Sequence, residues 1–121
     1  MSAYNMKRRK LPLAVAVDFD GTICENAWPE IGEPNLELIE WLCWWRESGN
    51  RLILWTNRTG AKLDEAVTAC KTWGLTFDAI NANLPERIRF FGNDSRKVSA
   101  DYYIDDKAAV VNGMSPKPYY L

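Results

Sequence analysis

The chain has 121 residues, with 15 basic and 16 acidic side chains and no histidine. That length suits one domain with a core able to fold alone, and a net charge of −1 gives no global field to draw in nucleic acid or a membrane surface. The lack of histidine excludes Ser-His-Asp triads, histidine zinc sites and phosphohistidine chemistry.

Residues 1–10 read as a loose basic tail carrying Lys7-Arg8-Arg9-Lys10. The apolar run behind it is too short for a secretory signal or a membrane span. It ends on Asp18 and Asp20 without a small-residue cleavage site. Cys24, Cys43 and Cys70 are scattered, with no C-x-x-C pair, as expected of free thiols in a reducing compartment. A cytoplasmic protein is therefore expected.

Leu13 to Val17 is continuously apolar, as in a central parallel strand buried on both faces. Cys24 to Glu33 reads as a loop broken by Pro29 and Gly32. Asn35 is the N-cap of a helix running to about Ser48, stopped by Gly49-Asn50. Arg51 to Trp55 is a second strand and Thr56 to Gly60 a loop. Across Ala61 to Trp73, residues Leu63, Ala66, Val67, Cys70 and Trp73 share one helical face, and Gly74 ends the helix. Phe77 to Ile80 is a short third strand. Asn81 to Ala100 is irregular and polar, with a helical turn around Glu86 to Phe90. Asp101 to Ile104 is a fourth strand, followed by Asp105-Asp106. Residues 113–121, with Pro116 and Pro118, form an extended C-terminal tail.

Strands alternating with helices predict an α/β fold: a Rossmann-like three-layer sandwich around a parallel central sheet with right-handed crossovers. The chain, 1–121, is expected to be one such domain. Ligands of these sheets bind outside the carboxyl ends of the strands. Asp18, Thr56 and Asp105 each follow a predicted strand, so they converge on one edge. Asp18 and Asp20 start on the same side of their strand. Two carboxylates that close require a metal ion or a retained proton.

The string Asp18-Phe19-Asp20-Gly21-Thr22 resembles the first motif of the haloacid dehalogenase superfamily, whose phosphatases form an aspartyl phosphate. Leu52-Ile53-Leu54-Trp55-Thr56 looks like its second motif. Lys97 is the best match to the motif-three lysine, in competition with Arg96 and Lys107. Tyr102-Tyr103-Ile104-Asp105-Asp106 looks like the fourth motif. Each string alone is weak, since an acidic pair after a strand is common; the order of the four is what is specific.

The resemblance implies a Mg²⁺-dependent phosphomonoester phosphatase. Asp18 would be the nucleophile. Asp20 would act first as general acid and then as general base. Asp18, the Asp20 main-chain carbonyl and Asp105 would hold the metal, with Asp106 direct or through water. Thr56 and the Asn57 amide would hold phosphate oxygens, and Lys97 would offset the negative charge of phosphoryl group and nucleophile. Arg58 either grips substrate or pairs with a carboxylate.

The gaps between Gly21 and Leu54 and between Gly60 and Lys97 are too short for a separate cap domain, so a cap-less member is expected. An open site admits bulky substrates, and a nucleic-acid-end phosphatase is one alternative. No aromatic-basic repeat demands it. A non-catalytic phosphate-binding module of the same fold is another.

Six tryptophans raise a separate question. Trp44 falls among Glu37, Glu40 and Glu47 on the helical wheel, with Trp41 at the border. The helix either buries a broad face in the core or exposes an aromatic patch suited to a homo-oligomer interface. Trp28 either borders the site or plugs the edge of the core.

Overall fold

A computed structural model describes residues 11–109. Both predicted tails, including Lys7 to Lys10 and residues 113–121, lie outside the described residues. Four strands, β1 (Ala14–Val17), β2 (Arg51–Leu54), β3 (Ala79–Ile80) and β4 (Tyr102–Ile104), form one all-parallel sheet in the order β3-β2-β1-β4. The helices are α1 (Leu36–Glu47), α2 (Gly60–Thr72) and α3 (Pro85–Phe91). This is the small α/β, Rossmann-like fold expected from the strand–helix alternation. Between β1 and β2 stand one loop and α1, with no further helix or strand.

The sheet owes its position to β1, all four residues of which are buried. Val15 and Val17 face one layer with Leu52, Leu54 and Ile104. Onto that layer pack Ile39, Leu42 and Trp45 of α1 and Ala66 and Cys70 of α2, with Leu63, Val67 and Trp73 along its margin, the stripe predicted for α2. Ala14 and Ala16 face the other way with Ile53, Leu84 and Val98. Small alanines suit this thinner layer, which the short α3 and the irregular segment after it cover. Burial raises the Cys70 thiol to about 12, so it is an inert core residue.

Two buried arginines tie the layers together. Arg87 of α3 donates to the Asp101 carboxylate at 2.6 Å and to Pro12 O at 3.2 Å, and the same carboxylate oxygen accepts the Ala14 amide at 2.8 Å. The second, Arg58, belongs to the site.

Element ends differ from the sequence reading where side chains intervene. Leu13 lies outside β1 and is 44% exposed. The third strand keeps only Ala79 and Ile80, because Asp78 turns its carboxylate to the Leu52 amide at 2.8 Å and takes hydrogen bonds from Arg46 at 3.0 and 3.2 Å. The helical turn expected at Glu86 to Phe90 is a complete helix opened by Pro85 at its first turn. Asn35 caps α1 as expected, accepting the Leu38 amide at 3.2 Å.

Burial opposes the charge on Asp78, but Arg46, the Leu52 amide and Arg51 outweigh it and hold the carboxyl below its ordinary value of 3.8. Its stabilisation is thus fully present above that ordinary value and is lost as pH falls through the lower folded one. Asp78→Asn should cost about 1.5–3 kcal/mol at neutral pH and flatten the acid-side decline. Urea denaturation of both proteins at neutral and acidic pH measures this.

Candidate active site

Asp18 leaves the sheet directly beyond β1, its amide still donating to Ile104 O at 2.9 Å. The chain then turns at once: Phe19 O accepts the amides of Thr22, Ile23 and Cys24 at 3.1, 3.0 and 3.3 Å. Phe19 itself is fully buried and stacked on Trp73 at 6.4 Å. Gly21 carries φ +85 within the turn, and a Cβ there would collide with the Asp106 carboxylate. Glycine is thus favoured by its backbone angle, and any side chain there would also displace the Asp106 carboxylate.

This turn separates the two aspartates that begin on one side of the strand. Asp18 joins Asp105 and Asp106, whose carboxylate oxygens can all lie within 4.8 Å of one another. Burial and the nearby charge of Asp105 raise the Asp18 carboxyl from 3.8 to about 6, against the lowering effect of the Thr22 hydroxyl. Thr22 Oγ1 lies 3.2 Å from Asp18 Oδ2 and 3.4 Å from Asp106 Oδ1, and accepts the Asp106 amide at 3.1 Å. Sequence reasoning left Thr22 without a role; here it fastens the β1 and β4 loops together.

Asp20 goes elsewhere. Both its oxygens accept from Arg58, at 2.7 and 2.8 Å. The Arg58 side chain is only 1% exposed. Its guanidinium also donates to Glu30 O at 2.9 Å and, more weakly, to Lys62 O and Pro29 O. It lies between the rings of Phe19 and Trp28, 5.0 and 4.9 Å from their centres. Of the two expectations for Arg58, pairing with a carboxylate is what the structure has; the buried guanidinium is not presented to substrate. Trp28 covers this pair while remaining 57% exposed, which places it beside the site rather than in the core.

Thr56 follows β2 at the same edge. Its amide donates to Asn81 Oδ1 at 2.8 Å, and its hydroxyl oxygen accepts the Arg58 amide at 3.1 Å. Asn57 is exposed beside it. Asn81, at φ +51, is a second residue the sequence reading missed. It steadies the loop from β3, and asparagine is among the residues most tolerant of such an angle. Lys97 is exposed, with Nζ 4.9 Å from the centre of the Tyr103 ring. Its loop is pinned by buried Asn83, which donates to Ser95 O at 2.8 Å and accepts the Ser99 amide at 2.6 Å.

Beside the acidic cluster opens a cleft of about 720 Å³, bounded by Thr22, Asp105 and Asp106 and by Leu38, Trp41 and Trp44 of α1. Trp44 is 56% exposed, so the helix does present aromatic surface.

No family model matches the chain, and no curated protein matches it. A solved structure of a conserved protein from Bacteroides thetaiotaomicron is similar to it, at 43% sequence identity over 82% of this chain and 79% of that one, with a TM-score of 0.71. The chain belongs to the same family as that conserved protein.

Two outcomes follow from the charges. Arg58→Met leaves Asp20 without its counter-charge and should destabilise by about 3–5 kcal/mol, with the double variant Asp20→Asn/Arg58→Met recovering part of the loss. Denaturant melts of the four proteins form the cycle. Asp18 has the opposite sign. Its folded value is raised, so its contribution to stability falls as pH rises towards and through about 6. Asp18→Asn should therefore stabilise the metal-free protein by about 1 kcal/mol at neutral pH, discounted for partial exposure, and give no gain in acid. Thermal melts in chelator test it.

Proposed function

We propose that this chain is a Mg²⁺-dependent phosphomonoester phosphatase that works through an aspartyl phosphate on Asp18, as its resemblance to the haloacid dehalogenase superfamily implies. The observation that carries this reading is the gathering of Asp18, Asp105 and Asp106 at the sheet edge where Thr56 also emerges. The donor set suits Mg²⁺: carboxylate oxygens only, gathered within 4.8 Å of one another. Asp18, Asp105 and Asp106 would hold the ion, with the Asp20 main-chain carbonyl as the further ligand implied by the resemblance. Bound there, it would supply positive charge between the nucleophile and the phosphoryl oxygens.

The chain's own groups supply the rest. An Asp18 carboxylate oxygen attacks phosphorus, the bond to the leaving oxygen breaks, and that oxygen departs with the electron pair. The Thr56 hydroxyl oxygen already accepts the Arg58 amide, which leaves its proton for a phosphoryl oxygen; the Asn57 amide is assigned to another. Lys97 offsets the accumulated charge. Water then attacks phosphorus of the acyl phosphate, releasing inorganic phosphate and the Asp18 carboxylate, and its proton passes to Asp20. Held by Arg58 with both oxygens accepting, Asp20 is in the form suited to that second step. Its expected service as general acid in the first step requires it to leave Arg58 beforehand. That requirement is the one observation favouring the alternative of a phosphate-binding module without turnover.

A nucleic-acid end is the poorer substrate, since Glu37, Glu40, Asp105 and Asp106 line the adjoining cleft and repel a phosphodiester backbone. Cytoplasmic location remains part of the proposal; among the described residues no helix is long and apolar enough to cross a membrane.

Hydrolysis of an aryl phosphate should require Mg²⁺, vanish in chelator and be abolished by Asp18→Asn with the circular dichroism spectrum unchanged. Full turnover without divalent metal would refute the assignment. Protons and Mg²⁺ compete for Asp18, so Mg²⁺ affinity should rise as pH increases through about 6, which calorimetric titration at several pH values measures.

A further inference from the structure

One side chain from β3 shapes the loop that follows β2. The two strands pair so that Ile80 lies beside Leu54, and Asn81 therefore leaves the sheet next to Thr56. The Asn81 amide donates to Leu54 O at 2.8 Å, which fastens its backbone to the end of β2. Its side chain then reaches the loop at two points. Asn81 Oδ1 accepts the Thr56 amide at 2.8 Å, and Asn81 Nδ2 donates to Arg58 O at 3.5 Å. One partner is a donor and the other an acceptor, a pairing that a carboxamide satisfies and a carboxylate does not.

Asn57 stands between the two bracketed residues. Of the three successive amides, that of Thr56 goes to Asn81 Oδ1 and that of Arg58 to the Thr56 hydroxyl oxygen at 3.1 Å. The Asn57 amide has no hydrogen-bond partner among the described residues, and Asn57 is exposed. The bracket commits the donors on either side and leaves two neighbours for a ligand, the Asn57 amide and the Thr56 hydroxyl proton. A loop without it would have to be ordered by the anion itself, at the expense of affinity. The φ of +51 at Asn81 accounts for an asparagine in a turn. It does not account for a carboxamide that spans both ends of the neighbouring loop, since glycine takes such an angle at least as readily.

We propose that Asn81 is the positioning residue of the phosphate site, presetting the loop so that the Thr56 hydroxyl and the Asn57 amide meet one phosphoryl group together. This rests on the phosphate contacts of the phosphatase reading, though not on turnover. Asn81 touches no reacting atom; it acts through Thr56 and Asn57, and preset donors are worth most where negative charge gathers.

Asn81→Gly tests the role, because the backbone angle suits glycine and only the two side-chain hydrogen bonds are lost. Inorganic phosphate is titrated calorimetrically into the Mg²⁺-loaded protein, and Mg²⁺ separately into phosphate-free protein. Asn81→Gly should weaken phosphate about tenfold, as for one hydrogen bond to a charged group. Its Mg²⁺ affinity should match wild type, since Asp18, Asp105 and Asp106 follow β1 and β4. Asn81→Asp keeps the acceptor for the Thr56 amide but sets a carboxylate oxygen against Arg58 O, and should weaken phosphate at least as far. In amide NMR spectra phosphate should shift the Asn57 resonance of wild type, and Thr56 amide exchange should quicken in Asn81→Gly. With an aryl phosphate, KM and the inhibition constant of phosphate should rise together. Unchanged phosphate affinity in both variants overturns the proposal and leaves the phosphatase reading standing. Equal losses of phosphate and Mg²⁺ affinity overturn it too, marking Asn81 as structural only. Phosphate binding that depends on Asn81, without hydrolysis of the aryl ester, upholds the proposal and sinks the phosphatase reading. A wild-type protein that binds no phosphate overturns both.

Discussion

Pairing Val17 with Ile104 brings Asp18 and Asp105 out of the sheet side by side, and most of the site answers to that register. Parallel strands cannot slip by one residue without exchanging their buried and outward faces. β1, buried on both sides, has no freedom to do so. The two carboxylates are thus forced together at the end of the sheet. Burial first, and the charge of Asp105 after it, raise the Asp18 carboxyl to about 6. Such strain is relieved by a proton or by a cation, and a site able to exchange one for the other is chemically useful.

The turn after β1 sets the second condition. By folding three amides onto Phe19 O it sends Asp20 away from Asp18 and into the grip of Arg58. One carboxylate is left in need of a counter-charge, and the other receives one that is almost wholly buried. Two aspartates two positions apart in the chain thus occupy opposite electrostatic situations, which is how like groups acquire unlike roles. The phenyl ring between them in sequence serves both ends, filling the core against Trp73 and forming one face of the slot for the Arg58 guanidinium.

Much of this was legible in the sequence where the signal is periodic or local. The apolar run of β1, the five-residue stripe of α2 and the Asn35 cap each depend on neighbours within a few positions. The convergence of Asp18, Thr56 and Asp105 followed from strand ends in a parallel sheet, a rule that needs no side-chain detail. Partners far apart in the chain were hidden. Nothing local to Arg58 says that it meets Asp20, since a surface partner was equally compatible with its surroundings. Thr22 meets Asp106, 84 positions away, and Asn81 meets Thr56 from the end of a strand that the sequence read as twice its actual length. That strand is short because Asp78 uses its carboxylate where a longer ladder would have used backbone, a substitution that strand propensity does not encode.

The truncation has a further result at the margins of the sheet. An open parallel sheet has two free borders, and a long flat border invites a strand from another molecule to continue the ladder. Here the borders are β3 and β4, with two and three residues. Among the described residues the exposed rows of amides and carbonyls are therefore too brief to template much pairing, and Arg46, Arg51 and Asp78 place charges at the entrance to the β3 border. A fold that leaves the carboxyl ends of its strands open to solvent thus blunts its lateral edges by brevity, so that openness at one border of the sheet does not bring adhesiveness at the others.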